Sequence, residues 1–281
     1  MRGGATSSEV ALFLYREELA VADAGLRRAK EIAGLIAGAE PGELPELEKR
    51  YANDPRKQVR HALEAARKRA QRVQTERERV LGMYALQREI GGEGLVIGVD
   101  EVGRGAVAGP LTVAAVALPA EPIIWGIDDS KRLTPERRET LSRRIERHAM
   151  TMGIAHVPPD EIDARGMASC LRIAMSRAID ACGVDPDCVL IDGNPVHVHQ
   201  RERCVVKGDA RIACIAAASI VAKVTRDAIM VGYAREYPGY HLASSKGYAS
   251  AEHIEAIRAQ GLSPIHRASF CGNFLETPRL F

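Results

Sequence analysis

Three glycines set close together, Gly91, Gly92 and Gly94, divide the chain into two textures, and this division constrains the fold most. Before them, apolar residues recur at helical steps. Glu9–Ala37 carries Val10, Leu14, Val21, Leu26, Ile32 and Leu35 at that spacing, and Pro41, Gly42 and Pro45 interrupt it. From about Pro55 to Ile90, Val59, Leu63, Ala66, Ala70, Val73 and Val80 again recur every three or four residues. The spacing predicts an α-helical N-terminal extension over residues 1–92, joined by the glycines to a second domain over residues 93–281.

After the glycines, short apolar runs alternate with helical stretches. Leu95–Val99, Val107–Leu118, Met150–Val157, Cys188–Ile191 and Arg203–Val206 are expected as strands. Helices are expected from the Thr134-Pro135-Glu136 cap onward, and over Asp160–Cys182, Arg211–Tyr237 and Ser250–Gln260. Three strands followed by strands alternating with helices fit an α/β mixed sheet flanked by helices.

Acidic residues stand where the apolar runs stop. Asp100 and Glu101 follow Leu95–Val99, Asp192 follows Val189–Ile191, and Asp209 sits after Lys207-Gly208, just before the alanine-rich helix. A carboxylate at a buried strand end is costly unless solvated, paired or bound to a cation. Open α/β sheets gather ligand sites at such ends. Oxygen-only ligands suit hard divalent cations, chiefly Mg²⁺ or Mn²⁺, and a pair of such ions can drive phosphodiester cleavage. Each acid could alone cap a turn or a helix. Four at element edges favour a metal site, without naming a substrate.

Composition narrows the field. With 46% hydrophobic and 27% charged residues, the chain can bury a sizeable core, built from aliphatic residues because aromatics are only 4%. Six cysteines (Cys170, Cys182, Cys188, Cys204, Cys214, Cys271) form no C-x-x-C pair, which argues against a zinc ribbon or a thioredoxin-like site. Met1–Val10 does not read as a secretory signal, and no apolar run approaches a membrane span. A cytoplasmic protein with reduced thiols and no membrane partner is therefore expected. A net charge of +2 leaves the distribution of charge to decide about nucleic acid. Locally, Arg56, Lys57, Arg60, Arg67, Lys68, Arg69, Arg72, Arg77 and Arg79 outnumber Glu64, Glu76 and Glu78. That stretch is either a solvated helix face or a surface for phosphate backbones.

The segment Gly98-Val-Asp-Glu-Val-Gly-Arg-Gly-Ala-Val-Ala-Gly-Pro110 resembles the signature of the ribonuclease HII family. Asp129-Ser-Lys-Arg-Leu133, Val189-Leu-Ile-Asp-Gly-Asn194, Lys207-Gly-Asp209, Ala216-Ala-Ala-Ser-Ile-Val-Ala-Lys-Val-Thr-Arg-Asp227, Lys246-Gly-Tyr248 and His266-Arg-Ala-Ser-Phe270 resemble further family blocks in family order. The resemblance covers about residues 95–272. It implies a ribonuclease-H-like five-stranded mixed sheet and a two-metal site holding Mg²⁺ or Mn²⁺. Asp100, Glu101, Asp192 and Asp209 would be its ligands, with Asp227 a structural acid. Gly103, Arg104 and Gly105 would approach the ribose 2′-hydroxyl, and Tyr248 would pack on the following deoxyribose. Ser130, Lys131 and Lys207 would contact phosphates. Ser245 and Gly166 depart from the family pattern, which often has histidine and usually has asparagine there.

The implied activity is endonucleolytic cleavage of RNA/DNA hybrids and of duplex DNA on the 5′ side of single ribonucleotides, leaving 3′-hydroxyl and 5′-phosphate ends. The implied roles are ribonucleotide removal from DNA and clearance of RNA primers. The alternatives are another nuclease or strand-transfer enzyme on the same fold, or a non-catalytic nucleic-acid-binding protein. Leu280-Phe281 at the C-terminus would be a docking element for a replication protein.

Overall fold

The computed structural model describes residues 28–275. These divide into two compact units, with the boundary between Glu78 and Arg79. The first unit contains α1 (Ala29–Gly38), α2 (Leu44–Tyr51) and the early turns of α3 (Lys57–Gly91). Ile32, Ile36, Leu44, Tyr51, Val59 and Leu63 form its small core. Pro45 sits in the first turn of α2, where a missing N–H costs nothing; the proline read as a breaker thus opens a helix. The expected helix before Arg28 lies outside the described residues.

In the second unit β1 (Val96–Val102), β2 (Leu111–Ala117), β3 (Thr151–Val157), β4 (Cys188–Asp192) and β5 (Glu202–Val205) form one sheet in the order β3-β2-β1-β4-β5. β1 pairs antiparallel with β2, and β2 with β3; β1 pairs parallel with β4, and β4 with β5. The fold is therefore the expected mixed five-stranded sheet. The helices are α4 (Pro135–His148), α5 (Pro159–Arg165), α6 (Met167–Ala181), α7 (Ala213–Glu236), α8 (Leu242–Ser245), α9 (Ala251–Gln260) and α10 (Ala268–Leu275).

Side chains alternate across the sheet. Ile97, Val99, Val113 and Ala115 pack with Leu171, Ala174 and Met175 of α6. Ala114 and Val116 pack on the other face with α4, α7 and Val80, Met83 and Tyr84 of α3. The alanines of α7 let that helix lie close to the strands. At Gly98 a Cβ would stand 2.3 Å from the Cys214 carbonyl carbon and 2.4 Å from the Ile215 nitrogen, so only glycine admits the helix there.

Two expected elements are corrected. Asp160–Cys182 is two helices, broken at Gly166, whose φ of 77° and ψ of 153° belong to a region open essentially to glycine alone. Val107–Leu118 is a strand only from Leu111, because Gly109 turns with φ 81° and Pro110 lacks an N–H.

Candidate metal centre

The parallel pairing of β1 with β4 brings Val99 beside Ile191, so the next residues, Asp100 within β1 and Asp192 at the end of β4, meet. Asp209 arrives from the short 3₁₀ turn Gly208–Ala210. Asp100, Asp192 and Asp209 offer oxygens that all lie within 4.8 Å of one another. The Asp192 carboxylate also accepts the Gly208 N–H at 2.6 Å, tying the turn to the strand end. Lys207 enters that turn with a left-handed backbone, φ 56°, a conformation non-glycine residues hold at a cost and often near functional sites.

Strand alternation explains the place of Glu101. Asp100 faces α7, whereas the next residue must face α6. Glu101 accordingly lines a groove with Arg104, Leu171, Arg172, Asp192 and Asn194. Its carboxylate lies outside the three-acid cluster but within the field of Asp192. Burial, with repulsion from Asp192 and against the pull of Arg104, moves the Glu101 pKa up to about 6.

Asp100 is 5% exposed. Burial, then the charges of Glu101 and Asp192, hold its carboxyl well above the usual range. Two donors oppose this: the Glu101 N–H at 2.7 Å, and the Ser219 hydroxyl. The Ser219 hydroxyl also shares a hydrogen bond with the Ser130 hydroxyl, 2.8 Å away. Asp209 is likewise pushed up by burial and by Asp192 and Asp129, against Lys131. Burial works against the Lys131 ammonium, but Asp129, Asp209 and Asp100 outweigh it and hold its pKa up. Its Nζ stands 3.5 Å from Asp209 and 3.9 Å from Asp129.

Converging carboxylates, with Asp100 and Asp209 buried and held above their usual pKa, are the donor set that a hard divalent cation relieves. The chemistry of the residues thus fits Mg²⁺ or Mn²⁺. Asp227 is elsewhere, paired with Lys223 at 2.7 Å.

The other predicted residues surround this centre unevenly. Arg104 and Gly105 are exposed, and Arg104 reaches to 3.7 Å from Glu101. Gly103 is buried with φ 92°, and a Cβ there would meet Arg226 Nε at 2.2 Å. Tyr248 is 37% exposed, with the Arg226 guanidinium 5.4 Å and Lys223 Nζ 6.0 Å from its ring centroid. Lys207 is exposed. Ser130 is buried with its hydroxyl turned inward to Ser219.

The sequence assigned no role to several groups that the fold puts to use. Ser219 stands out in its alanine run only as a lone hydroxyl. Arg226 and Arg267 are fully buried, and their guanidinium groups donate to backbone carbonyls. Arg226 holds Pro110 O at 2.9 Å, Lys246 O at 2.8 Å and Ala108 O at 3.0 Å. Arg267 holds Gly109 O at 2.8 and 3.0 Å and Arg104 O at 3.2 Å. The loop from Gly103 to Pro110 is thereby stapled from behind. Glu202 does the same for the loop after Asp192, accepting the N–H groups of Val196, His197, Val198 and His199 at 2.7–3.4 Å. No local pattern foretells a carboxylate facing four successive amides.

Among known families, the ribonuclease HII profile matches residues 97–273, and the ribonuclease HII N-terminal domain profile matches residues 29–91. The ribonuclease HII of Lactobacillus delbrueckii subsp. bulgaricus is 39% identical over 232 residues, covering 82% of this chain and 89% of the relative. That of Geobacillus kaustophilus is 42% identical over 219 residues, covering 77% and 84%. Among solved structures, the ribonuclease H2 of Pyrococcus horikoshii OT3 aligns with a TM-score of 0.55 at 28% identity, covering 64% of this chain and 96% of that one. No helix among the described residues is long and apolar enough to cross a membrane.

Proposed function

Because the chain belongs to the ribonuclease HII family, we propose that it hydrolyses the RNA strand of RNA/DNA hybrids and cuts duplex DNA 5′ to single embedded ribonucleotides. The products are a 3′-hydroxyl and a 5′-phosphate. The observation that carries this reading is the meeting of Asp100, Asp192 and Asp209 beside the Gly103–Gly105 loop. These three carboxylates, joined by Glu101 from the other face of β1, would hold two Mg²⁺ or Mn²⁺ ions. When bound, such ions lower the pKa of an attacking water and stabilise the departing 3′-oxygen.

The chain's own groups orient the substrate. Glycine at Gly103 and Gly105 lets backbone amides approach a ribose 2′-hydroxyl closely. Arg104, Lys131 and Lys207 meet phosphates. Tyr248 packs on the next sugar and favours one that lacks a 2′-hydroxyl. Ser130 acts through Ser219, holding the Asp100 carboxylate in one orientation, and not on phosphate directly. Ribonucleotide removal and primer clearance are the roles this activity serves.

In the extension, several cations are already engaged: Arg67 pairs with Glu48 at 2.6 Å, Lys68 with Glu64 at 2.7 Å, and Arg69 holds Ala37 O at 2.8 Å. We assign the exposed Lys57, Arg60 and Arg72 of α3 to duplex phosphates, so deleting residues 1–78 raises the apparent KM and flattens its salt dependence. Unchanged kinetics would leave the extension a stabilising or partner-binding role. The docking element Leu280-Phe281 lies outside the described residues.

A substrate panel tests the reading: a duplex with one ribonucleotide, a long hybrid and an all-DNA duplex, each with Mg²⁺ or Mn²⁺. Cleavage of the first two and sparing of the third is expected. Efficient cutting of all-DNA duplex would point instead to another nuclease on this fold.

A further inference from the structure

Tyr248 is carried on a segment whose three successive carbonyls are each held by a different part of the fold. Lys246 O accepts from Arg226 of α7 at 2.8 Å. Gly247 O accepts the N–H groups of Val107 at 2.9 Å and Ala108 at 3.1 Å. Tyr248 O accepts from His253 Nδ1, in the first turn of α9, at 2.8 Å.

That last bond fixes a chain of protons. A carbonyl only accepts, so His253 carries its proton on Nδ1 and, being neutral, offers Nε2 as an acceptor. His266 Nε2 lies 3.1 Å away and must donate to it. His266 Nδ1 is then an acceptor, and it receives the Ser263 N–H at 3.0 Å and the Ser263 hydroxyl at 2.8 Å. Both imidazoles are buried, and burial holds both below their usual pKa, His266 at about 4, so both are neutral at neutral pH. The Tyr240 ring leans on His266 at 4.7 Å and meets His253 edge-on at 6.4 Å, fixing the planes.

The far end of the chain is anchored to the ribose-reading loop. His266 forms a β-bridge with Ala108, Gly109 N donates to Ile265 O at 2.8 Å, and Arg267 N donates to Val107 O at 2.8 Å. The two histidines therefore connect the Tyr248 backbone to the segment that follows Gly103-Arg104-Gly105.

We propose that His253 and His266 are positioning residues: His266 holds His253 in the neutral tautomer whose Nδ1–H fixes the Tyr248 carbonyl, and this bond sets selectivity for a ribonucleotide–deoxyribonucleotide junction. The proposal rests on the role given to Tyr248 above. It goes beyond that role by placing selectivity partly in two residues that touch no substrate.

The test uses the full chain and the ratio of kcat/KM on a single-ribonucleotide duplex to that on a long hybrid. Three variants separate the contacts: His253→Leu removes both, His253→Asn keeps an amide donor near the Nδ1 position, and His253→Gln keeps a group near Nε2 only. Tyr248→Ala runs in parallel, and thermal midpoints establish folding. An unmade buried hydrogen bond is expected to lower the ratio about five- to tenfold in the Leu and Gln variants, while Asn stays near wild type. Combining His253→Leu with Tyr248→Ala should lower the ratio no further than Tyr248→Ala alone. If Tyr248→Ala lowers the ratio but folded Leu or Gln variants do not, or if Asn and Gln fall equally, the positioning role is overturned. If Tyr248→Ala itself leaves the ratio unchanged, the reading of the tyrosine fails first, and the role of the histidines fails with it. Where the Leu variant does not fold, the contrast between Asn and Gln decides.

Discussion

At Asp100, burial and charge both act against folding. The carboxylate sits beside Glu101 and Asp192, and its pKa rises because removing charge relieves both burial and repulsion. Asp100→Asn is therefore expected to abolish cleavage while raising the thermal midpoint of metal-free protein at neutral pH; a midpoint that falls would refute the repulsion. Mn²⁺ should raise the wild-type midpoint and raise that of Asp100→Asn much less. Glu101 and His266 make opposite contributions to the pH dependence. The Glu101 pKa is raised from 4.5 to about 6, so the folded state binds more protons in that window and stability falls as pH rises through it. The His266 pKa is lowered from 6.5 to about 4, so the unfolded state binds more protons and stability is lost as pH falls through that window. Denaturant midpoints between pH 4 and 6.5 should thus fall less steeply with rising pH in Glu101→Gln, and weaken less on acidification in His266→Gln. The acids were legible in the sequence because a charge at the end of an apolar run is conspicuous. Ser219 and the two histidines were not, because they meet their partners only in the folded chain, and Glu202 was not, because no local pattern foretells a carboxylate facing four successive amides.

At the scale of elements, the site depends on α7 crossing β1 at Gly98, which brings Ser219 over Asp100. Gly98→Ala puts a methyl against helix backbone that cannot move independently. Overpacking of this kind costs typically 1–3 kcal/mol, read as a lower denaturant midpoint, and should also weaken turnover by shifting Ser219. A variant with wild-type stability would contradict the close approach. Strands and long helices were readable from period and apolar runs, and all five expected strands are present. Their ends were less readable. Nothing in apolar periodicity distinguishes one helix over Asp160–Cys182 from two, since the break turns on one glycine's backbone angles. Likewise Val107 reads as strand yet serves the loop, held there by the carbonyl contacts of Arg226 and Arg267 and by Gly247.

For the whole molecule, the position of a truncation decides the outcome. Residues 79–91 belong to the second unit: Val80, Met83 and Tyr84 are in its core, Tyr84 hydroxyl accepts the Ile124 N–H at 3.1 Å, and Gln87 Oε1 accepts the Cys214 N–H at 2.9 Å. Removing residues 1–78 should leave a cooperative unfolding transition. Removing residues 1–92 strips several large core side chains, each worth roughly 2–5 kcal/mol, against a total stability of about 5–15 kcal/mol, and should prevent folding. A cooperative transition in the longer truncation would contradict this packing. The helical texture of the extension was legible; the change of allegiance partway along α3 was not, because both parts share one helical period. On the proposed function, the carboxylates Asp100, Asp192 and Asp209 support a cut beside a ribonucleotide. This is tested most directly by mapping product ends from a duplex with one ribonucleotide, treated with wild type and with Asp100→Asn in the presence of Mn²⁺. A single wild-type cut is expected on the 5′ side of the ribonucleotide, with 3′-hydroxyl and 5′-phosphate ends, and substrate bound but uncut by the variant. Cleavage by the variant at the wild-type rate, or wild-type cuts with no relation to the ribonucleotide, would contradict the proposed function.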